Sequence, residues 1–348
     1  MAAKSLVKAR RNGIMTYAMA ALVLLLVLLA AELLLRVRHR TLRGALPSEL
    51  RTETQGIVWG DIRDKYHIVC LGDSNTYGEG LAYALAYPAI LEALLRERHP
   101  ETDVVVINAG IRGNTAVQGL ARLQDDVLRY SPQVVVSAFG LNDGNLGHWP
   151  LDRLRERQMY RETTLQGRID SWLQSSHLYR TLAARIKRAP RQLAIWGPSP
   201  VDDGTLAGEP QPRVSPQGFA LAQRRIVSRI HSYGGVTFLM TTTPVTAPSQ
   251  PDPGPAERKR QIAVYKDYDQ KIRELAQESN PACAGRSTSW HLIDLYTAVA
   301  IRSDEEVVPL VAADGVHLTA AGHRLAASII LQALEDSGLL HSQPYLRR

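Results

Sequence analysis

A serine hydroxyl is a poor nucleophile unless a base stands beside it, and a histidine is a well-directed base only when its other ring nitrogen is held by an acceptor. The sequence carries these groups at widely separated places. Ser74 lies in "VCLGDSNTYGEG" (69–80), where a short apolar run stops at Gly-Asp-Ser and a glycine-rich turn follows. His317 closes "DGVH" (314–317). Asp314, three residues upstream, can accept from one nitrogen of His317 across a single helix-like turn, leaving the other nitrogen to face Ser74. His323, six residues further on within a helical pattern, is poorly placed for that task and reads as a structural or surface histidine. An ester attacked by Ser74 would gather negative charge on its carbonyl oxygen, and preorganised donors must meet it. The backbone N–H of Ser74, the backbone N–H of Gly113 in "NAGIRGNT" (108–115) and the side-chain amide of Asn142 in "GLND" (140–143) are the candidates. Gly113 suits the role because, without a Cβ, it lets an oxygen approach its amide closely.

Each motif alone has an ordinary reading. GDS is a common turn, glycine-rich loops permit positive φ, Asn-Asp pairs build Asx turns, and an aspartate before a helix caps it. The elements around the motifs favour a common purpose. Apolar runs at 67–71, 103–108, 133–139, 236–242 and 291–295 are rich in β-branched residues and lack polar alternation, as expected for strands covered on both faces. Helical spacing separates them, with Ile90, Leu91, Leu94 and Leu95 on one stripe and Val117, Leu120, Leu123, Val127 and Leu128 on another. A last helix runs from about Thr319 to Asp336, with Thr319 as N-cap and a Leu325, Ile329, Ala333 stripe. Such alternation predicts an α/β/α sandwich around a parallel sheet. The four motifs follow successive strand ends, with 314–317 between the fifth strand and the last helix. In open parallel sheets ligands gather beyond those ends.

The rhythm breaks between residues 145 and 215, where no strand is expected. A helical stretch at 169–188 repeats Leu178, Leu182 and Ile186 as a core-facing stripe. Arg180, Arg185, Lys187, Arg188 and Arg191 read as a solvated face, and a Gly/Pro-rich loop follows. Trp149, Trp172 and Trp196 fall in this interval. They are candidates for a carbohydrate- or lipid-binding wall, with ordinary packing as the alternative. A second loop is expected at 247–257, where proline recurs. No internal repeat is evident.

The chain has 348 residues, 45% of them hydrophobic, enough for a substantial core, and a formal charge of +7. That charge does not mark a nucleic-acid-binding face. Lys4, Lys8, Arg10, Arg11, Arg36, Arg38, Arg40 and Arg43, against the single acid Glu32, account for the whole excess within the first 45 residues. They flank an apolar segment at 14–35. As a helix it would extend roughly 33 Å, close to the thickness of a bilayer's hydrocarbon core. Glu32 lies in the last turn, where Arg36 can pair with it. The segment is long for a signal peptide and ends without a small-x-small cleavage site, so it reads as an uncleaved anchor. The organisation expected is a basic tail (1–13), a transmembrane helix (14–35), a juxtamembrane connector (36–65) and a catalytic domain (66–340) bearing the 145–215 insertion. The charge balance leans toward a cytoplasmic N-terminus and an extracytoplasmic catalytic domain, periplasmic or extracellular. The two cysteines, Cys70 in a buried strand and Cys283 in a loop, define neither a disulfide framework nor a zinc site.

Ser74, Gly113, Asn142 and the Asp314/His317 pair, in this order, resemble the SGNH hydrolases, also called the GDSL family, over about residues 66–335. The resemblance implies a flavodoxin-like arrangement of the sheet. It implies Ser74 as nucleophile, Gly113 and Asn142 as oxyanion donors with Ser74, and Asp314 as support for His317. Leu318 stands where many members have proline, and the 145–215 interval exceeds that of minimal members. Ser74 is not in a GxSxG elbow, no GxxxxGK loop exists, and the motifs offer no further ligands to make a metal site of Asp314 and His317. No cofactor is required. The activity expected is hydrolysis of carboxylic esters, O-acetyl or other O-acyl, through an acyl-enzyme. Anchored relatives imply an envelope carbohydrate as substrate. The alternatives are an O-acetyltransferase acting on polysaccharide, a lysophospholipase or thioesterase, and a non-catalytic anchored binding module.

Overall fold

The computed structural model describes residues 65–161, 209–245, 254–278, 290–303 and 309–340, together with single helical positions at 19, 27 and 30. The chain divides into two units, one of residues 1–45 with 160–202 and one of residues 46–159 with 203–348. The second holds the sheet, Ser74, Gly113, Asn142, Trp149, Asp314 and His317. The expected transmembrane segment, the helical stretch at 169–188, Trp172, Trp196 and Cys283 lie outside the described residues, apart from Met19, Val27 and Ala30, which are helical and exposed. Among the described residues no helix is long and apolar enough to cross a membrane.

The sheet has five strands, β1 (Tyr66–Gly72), β2 (Val104–Gly110), β3 (Val134–Ala138), β6 (Val236–Met240) and β7 (Trp290–Ile293), in the order β2-β1-β3-β6-β7. Every neighbouring pair is parallel. Both faces are apolar because alternate side chains go to opposite cores. On one face Ile68, Cys70, Val104, Val106, Val134 and Val136 pack under α2 (Tyr87–Arg98), α8 (Leu295–Ser303) and α9 (Ala320–Asp336). On the other, Val69, Leu71, Val105, Ile107 and Val135 pack under α3 (Ala116–Asp126), α6 (Pro216–Ser232) and α7 (Pro255–Gln277). This is the three-layer α/β/α arrangement with a five-stranded parallel sheet. The chain leaves β1 toward β2 and returns to β3 on the other side. The crevice at that reversal opens at the carboxyl ends of β1 and β3.

Three expectations are corrected. The 145–215 interval does contain strand: β4 (Leu146–Gly147) pairs antiparallel with β5 (Gln211–Pro212), and a helix, α5 (Pro150–Arg161), follows β4. The pairing is two residues long, too short to leave a periodic signal. α7 begins at Pro255, inside the loop expected at 247–257, because proline is well suited to the first turn of a helix. In α9 the buried face is His323, Ala326, Ala327, Ile330 and Leu334, and Leu325, Ile329 and Ala333 are only partly buried. Small alanines there let the helix lie close to the sheet. α8 also stands between β7 and the 314–317 turn.

Gly110 ends β2 against the first turn after β1. A Cβ there would stand 2.2 Å from the Tyr77 backbone nitrogen and 2.7 Å from the Thr76 carbonyl carbon. Backbone cannot swing aside as a side chain can. Gly110→Ala should therefore cost about 1–3 kcal/mol of stability, as overpacking does, measured as a lowered thermal midpoint by circular dichroism. An unchanged midpoint would show that the two segments are not held this closely.

Candidate active site

Ser74 opens α1 (Ser74–Tyr77), a single helical turn placed directly on the end of β1. Asp73 caps it, its Oδ1 accepting from the Asn75 N–H at 3.0 Å. The turn closes on Gly78 in the left-handed region, φ 81°. The approach is tight: a Cβ at Gly72 would lie 2.0 Å from Thr76 Oγ1. Glycine therefore ends the strand, and Ser74 is lifted to the rim.

Asp314 and His317 share a turn that an isolated antiparallel bridge, Val311 to Leu318, closes at its base. His317 Nδ1 lies 2.7 Å from Asp314 Oδ2, and its Nε2 lies 2.9 Å from Ser74 Oγ. A carboxylate can only accept, so Nδ1 carries the hydrogen and Nε2 presents a lone pair to the serine hydroxyl. Asp314 Oδ1 accepts the backbone N–H groups of Val316 at 2.9 Å and His317 at 3.0 Å. Partial burial opposes charge on Asp314, but these bonds and the imidazole outweigh it, and its carboxyl is held below the usual range.

One residue that sequence reasoning passed over joins the two halves. Asn75 donates through Nδ2 to Val316 O at 3.2 Å and accepts through Oδ1 from Leu318 N–H at 2.9 Å. It thus holds the backbone on both sides of His317. The only sequence signal is a polar amide beside the serine, which any turn would tolerate. Thr243, past the end of β6, donates to the same Val316 carbonyl at 3.1 Å. His323 is buried, and its Nδ1 accepts the Tyr87 N–H at 3.1 Å, tying α9 to the start of α2.

Gly113 lies in a turn closed by Asn114 N–H donating to Ile111 O at 3.2 Å. Its φ is +70°, at the third position where a type II turn takes glycine. An added Cβ would meet nothing within 4 Å, so its flank is open. Three hydrogen bonds, one of the backbone and two of Arg122, pin this turn to the strand end below Ser74. Ile111 N–H donates to Gly72 O at 3.1 Å, and Arg122 spans Gly72 O at 3.0 Å and Asn114 Oδ1 at 2.9 Å. Asn142 belongs to α4 (Leu141–Gly144), directly after β3, and donates through Nδ2 to Asp73 Oδ2 at 3.3 Å. That bond spends one amide hydrogen and orients the other. Trp149 is partly buried, and its indole N–H donates to Asn145 O at 3.0 Å.

Two buried carboxyls lie beneath these loops. Burial pushes Asp73 up to about 6, opposed by the Asn75 N–H bond, the His317 charge and Asn142. Burial pushes Asp143 up to about 8, although the Ala116 N–H at the start of α3 donates to it at 2.9 Å.

A parallel α/β/α sandwich with a serine, histidine and aspartate in one hydrogen-bonded chain at the strand ends is the design of a hydrolase of the serine type. Residues 70–325 match the model of the GDSL-like lipase/acylhydrolase family, and the chain belongs to that family, whose members are SGNH-type hydrolases acting on ester bonds. It is 37% identical over 83 residues to an arylesterase of Vibrio mimicus, 24% of this chain and 40% of that protein. It is 35% identical over 83 residues to "thioesterase 1/protease 1/lysophospholipase L1" of Escherichia coli (strain K12), 24% of this chain and 38% of that protein. It is 34% identical over 91 residues to an acetylxylan esterase of Geobacillus stearothermophilus, 26% and 41%. The matches thus span about two fifths of these curated relatives.

Asp143 sets a pH dependence of stability. A carboxyl whose folded value lies above its unfolded one keeps a proton that the unfolded chain releases. Its stabilising contribution is complete below about pH 4 and is lost as pH rises toward about 8. Asp143→Asn keeps an acceptor for Ala116 N–H but does not titrate. The thermal midpoint of the variant should therefore gain on wild type as pH is raised from 5 to 8. A constant difference across that range would refute the assignment.

Proposed function

We propose that the protein is a serine esterase that cleaves O-acyl esters, O-acetyl esters foremost, through an acyl-enzyme. The observation that carries this reading is the unbroken chain from Asp314 through His317 to Ser74, at 2.7 and 2.9 Å. Ser74 Oγ attacks the acyl carbonyl while His317 Nε2 takes its proton. Asp314 holds the imidazole in the required tautomer and stabilises the cation that forms. The oxyanion rests on the Ser74 and Gly113 N–H groups and the second hydrogen of the Asn142 amide. His317 then protonates the departing alcohol. Water, deprotonated by the same nitrogen, attacks the acyl-enzyme, and His317 returns that proton to Ser74 Oγ as the bond to the acyl carbon breaks and the acid is freed.

The proposed substrate is an acylated carbohydrate of the cell envelope. The likeness to an acetylxylan esterase supports a sugar ester. The apolar 14–35 segment with its basic flanks supports an enzyme held at a bilayer, N-terminus in the cytoplasm and catalytic domain outside it. The thioesterase and lysophospholipase named among the relatives supports a second reading, in which lipid or thioester is cleaved.

Steady-state kinetics with p-nitrophenyl esters of increasing acyl length tests both. Ser74→Ala should fall to background with every ester. Asn142→Ala should lose about 100- to 1000-fold in kcat with KM nearly unchanged, because its amide serves the transition state. Preference for acetyl supports the carbohydrate reading, and preference for long chains supports the lipid reading. Product analysis with an oligosaccharide acceptor separates hydrolysis from acyl transfer. A Ser74→Ala enzyme with wild-type turnover would end the serine mechanism.

A further inference from the structure

The long interval after β3 returns to the body of the protein at Arg213, and what this side chain holds is not explained by packing alone. β4 and β5 form a short stem, with Leu146 opposite Pro212 and Gly147 opposite Gln211. The stem continues as Arg213 N–H donates to Asn145 O at 2.9 Å and Val214 N–H to Asp143 O at 3.0 Å. It therefore grows from the residues directly after Asn142. From its base the Arg213 side chain, 14% exposed, crosses to the neighbouring loop. Nη1 donates to the Gly113 carbonyl at 2.7 Å, and Nη2 reaches Gln118 Oε1 at 3.4 Å. Nε pairs with Asp152 Oδ2 at 2.6 Å, and the guanidinium lies 5.1 Å from the centre of the Trp149 ring. Asp152 and Trp149 help to fix the direction of the fork.

The grip falls on the glycine of the turn, on the peptide plane whose N–H closes the turn onto Ile111 O. Gly113 has no side chain and a positive φ, so its peptide planes are free to rotate unless a neighbour holds them. Arg122 holds the next residue from within, through Asn114 Oδ1. Gln118, which Arg213 also touches, accepts the Thr115 N–H at 2.9 Å and so caps α3 where the loop ends. Two adjacent residues of the oxyanion loop, Gly113 and Asn114, are thus held by arginines, and one of the arginines comes from the insertion.

We infer that Arg213 is a positioning residue for the proposed oxyanion hole: by holding the Gly113 carbonyl it fixes the peptide plane between Gly113 and Asn114, and with it the placement of the turn that presents the Gly113 N–H. This rests on the serine-esterase reading. A brace with no such role would alter stability alone. A positioning residue alters the transition state more than the bound ester, because the oxyanion exists only there. Lysine can supply the charge but not the planar fork that reaches Asp152, Gly113 and Gln118 together.

The test compares full-length wild type, Arg213→Lys and Arg213→Ala. Their kcat and KM for p-nitrophenyl acetate, their affinity for a boronic acid that forms a tetrahedral adduct on serine, and their thermal midpoints are measured. Arg155 also contacts Asp152, at 2.6 Å, so the alanine variant does not strand that carboxylate. The expected result for Arg213→Ala is a fall in kcat on the order of 100-fold, the scale of an ångström-sized misplacement. KM should change little, boronate affinity should fall in parallel, and added guanidinium ion should partly restore the rate. Should the alanine variant fail to fold, Arg213→Lys carries the comparison, with the same split between kcat and KM. Variants that lose thermal stability while keeping wild-type kcat and boronate affinity overturn the inference and leave the esterase reading intact. A wild type that neither turns over ester nor binds boronate overturns both.

Discussion

The 2.9 Å contact between Ser74 Oγ and His317 Nε2 joins residues 243 positions apart in the chain, and the site depends on it. Neither partner could hold it alone. The serine sits on a single helical turn, and the histidine sits in a loop whose own antiparallel bridge is one residue pair. The Asn75 amide supplies what is missing, because its two ends match a carbonyl and an N–H on either side of His317. A side-chain amide offers donor and acceptor in one rigid plane, so it fixes orientation as well as distance. Asp314 acts at the next remove, fixing the ring's tautomer so that the lone pair faces the hydroxyl.

The sheet supplies the rest of the geometry. β1, β2 and β3 run parallel in register, so the three loops bearing Ser74, Gly113 and Asn142 leave at one edge. Glycines at the strand ends let them crowd together. Gly72 admits Thr76, and Gly110 admits the backbone of Thr76 and Tyr77. Arg122 and Asp73 then lace neighbouring loops, one to the carbonyl of Gly72 and the other to the Asn142 amide. The crowding carries an electrostatic cost, because Asp143 is buried and the charge of Asp73 nearby disfavours its own. Raised protonation of Asp143 relieves that conflict beneath the crevice.

Much of this was legible in the sequence because the signals were physical and local. Buried parallel strands must be apolar on both faces, so Ile68, Val69, Val105 and Val106 announced themselves as strand. Asp314 and His317 were readable as a pair because three residues is one turn. Asn75, Arg122 and Arg213 were not, since their partners are backbone groups or side chains brought near only by the fold, and nothing in their neighbourhood marks them. The β4–β5 stem was missed for a related reason: two residues per strand cannot show a period. The stripe on α9 was misplaced because alanine is a weak marker of a buried face. Ala326 and Ala327 are fully buried, while the larger Leu325 and Ile329 lie toward its edge.

The decisive measurement is mass-spectrometric mapping of the intact protein after brief exposure to a fluorophosphonate ester, on wild type and on His317→Ala with matching thermal midpoints. A base 2.9 Å from the hydroxyl predicts one phosphonyl adduct, on Ser74, formed far more slowly once the imidazole is gone. An adduct on another residue, or equal rates with and without His317, would contradict the proposed role of that contact.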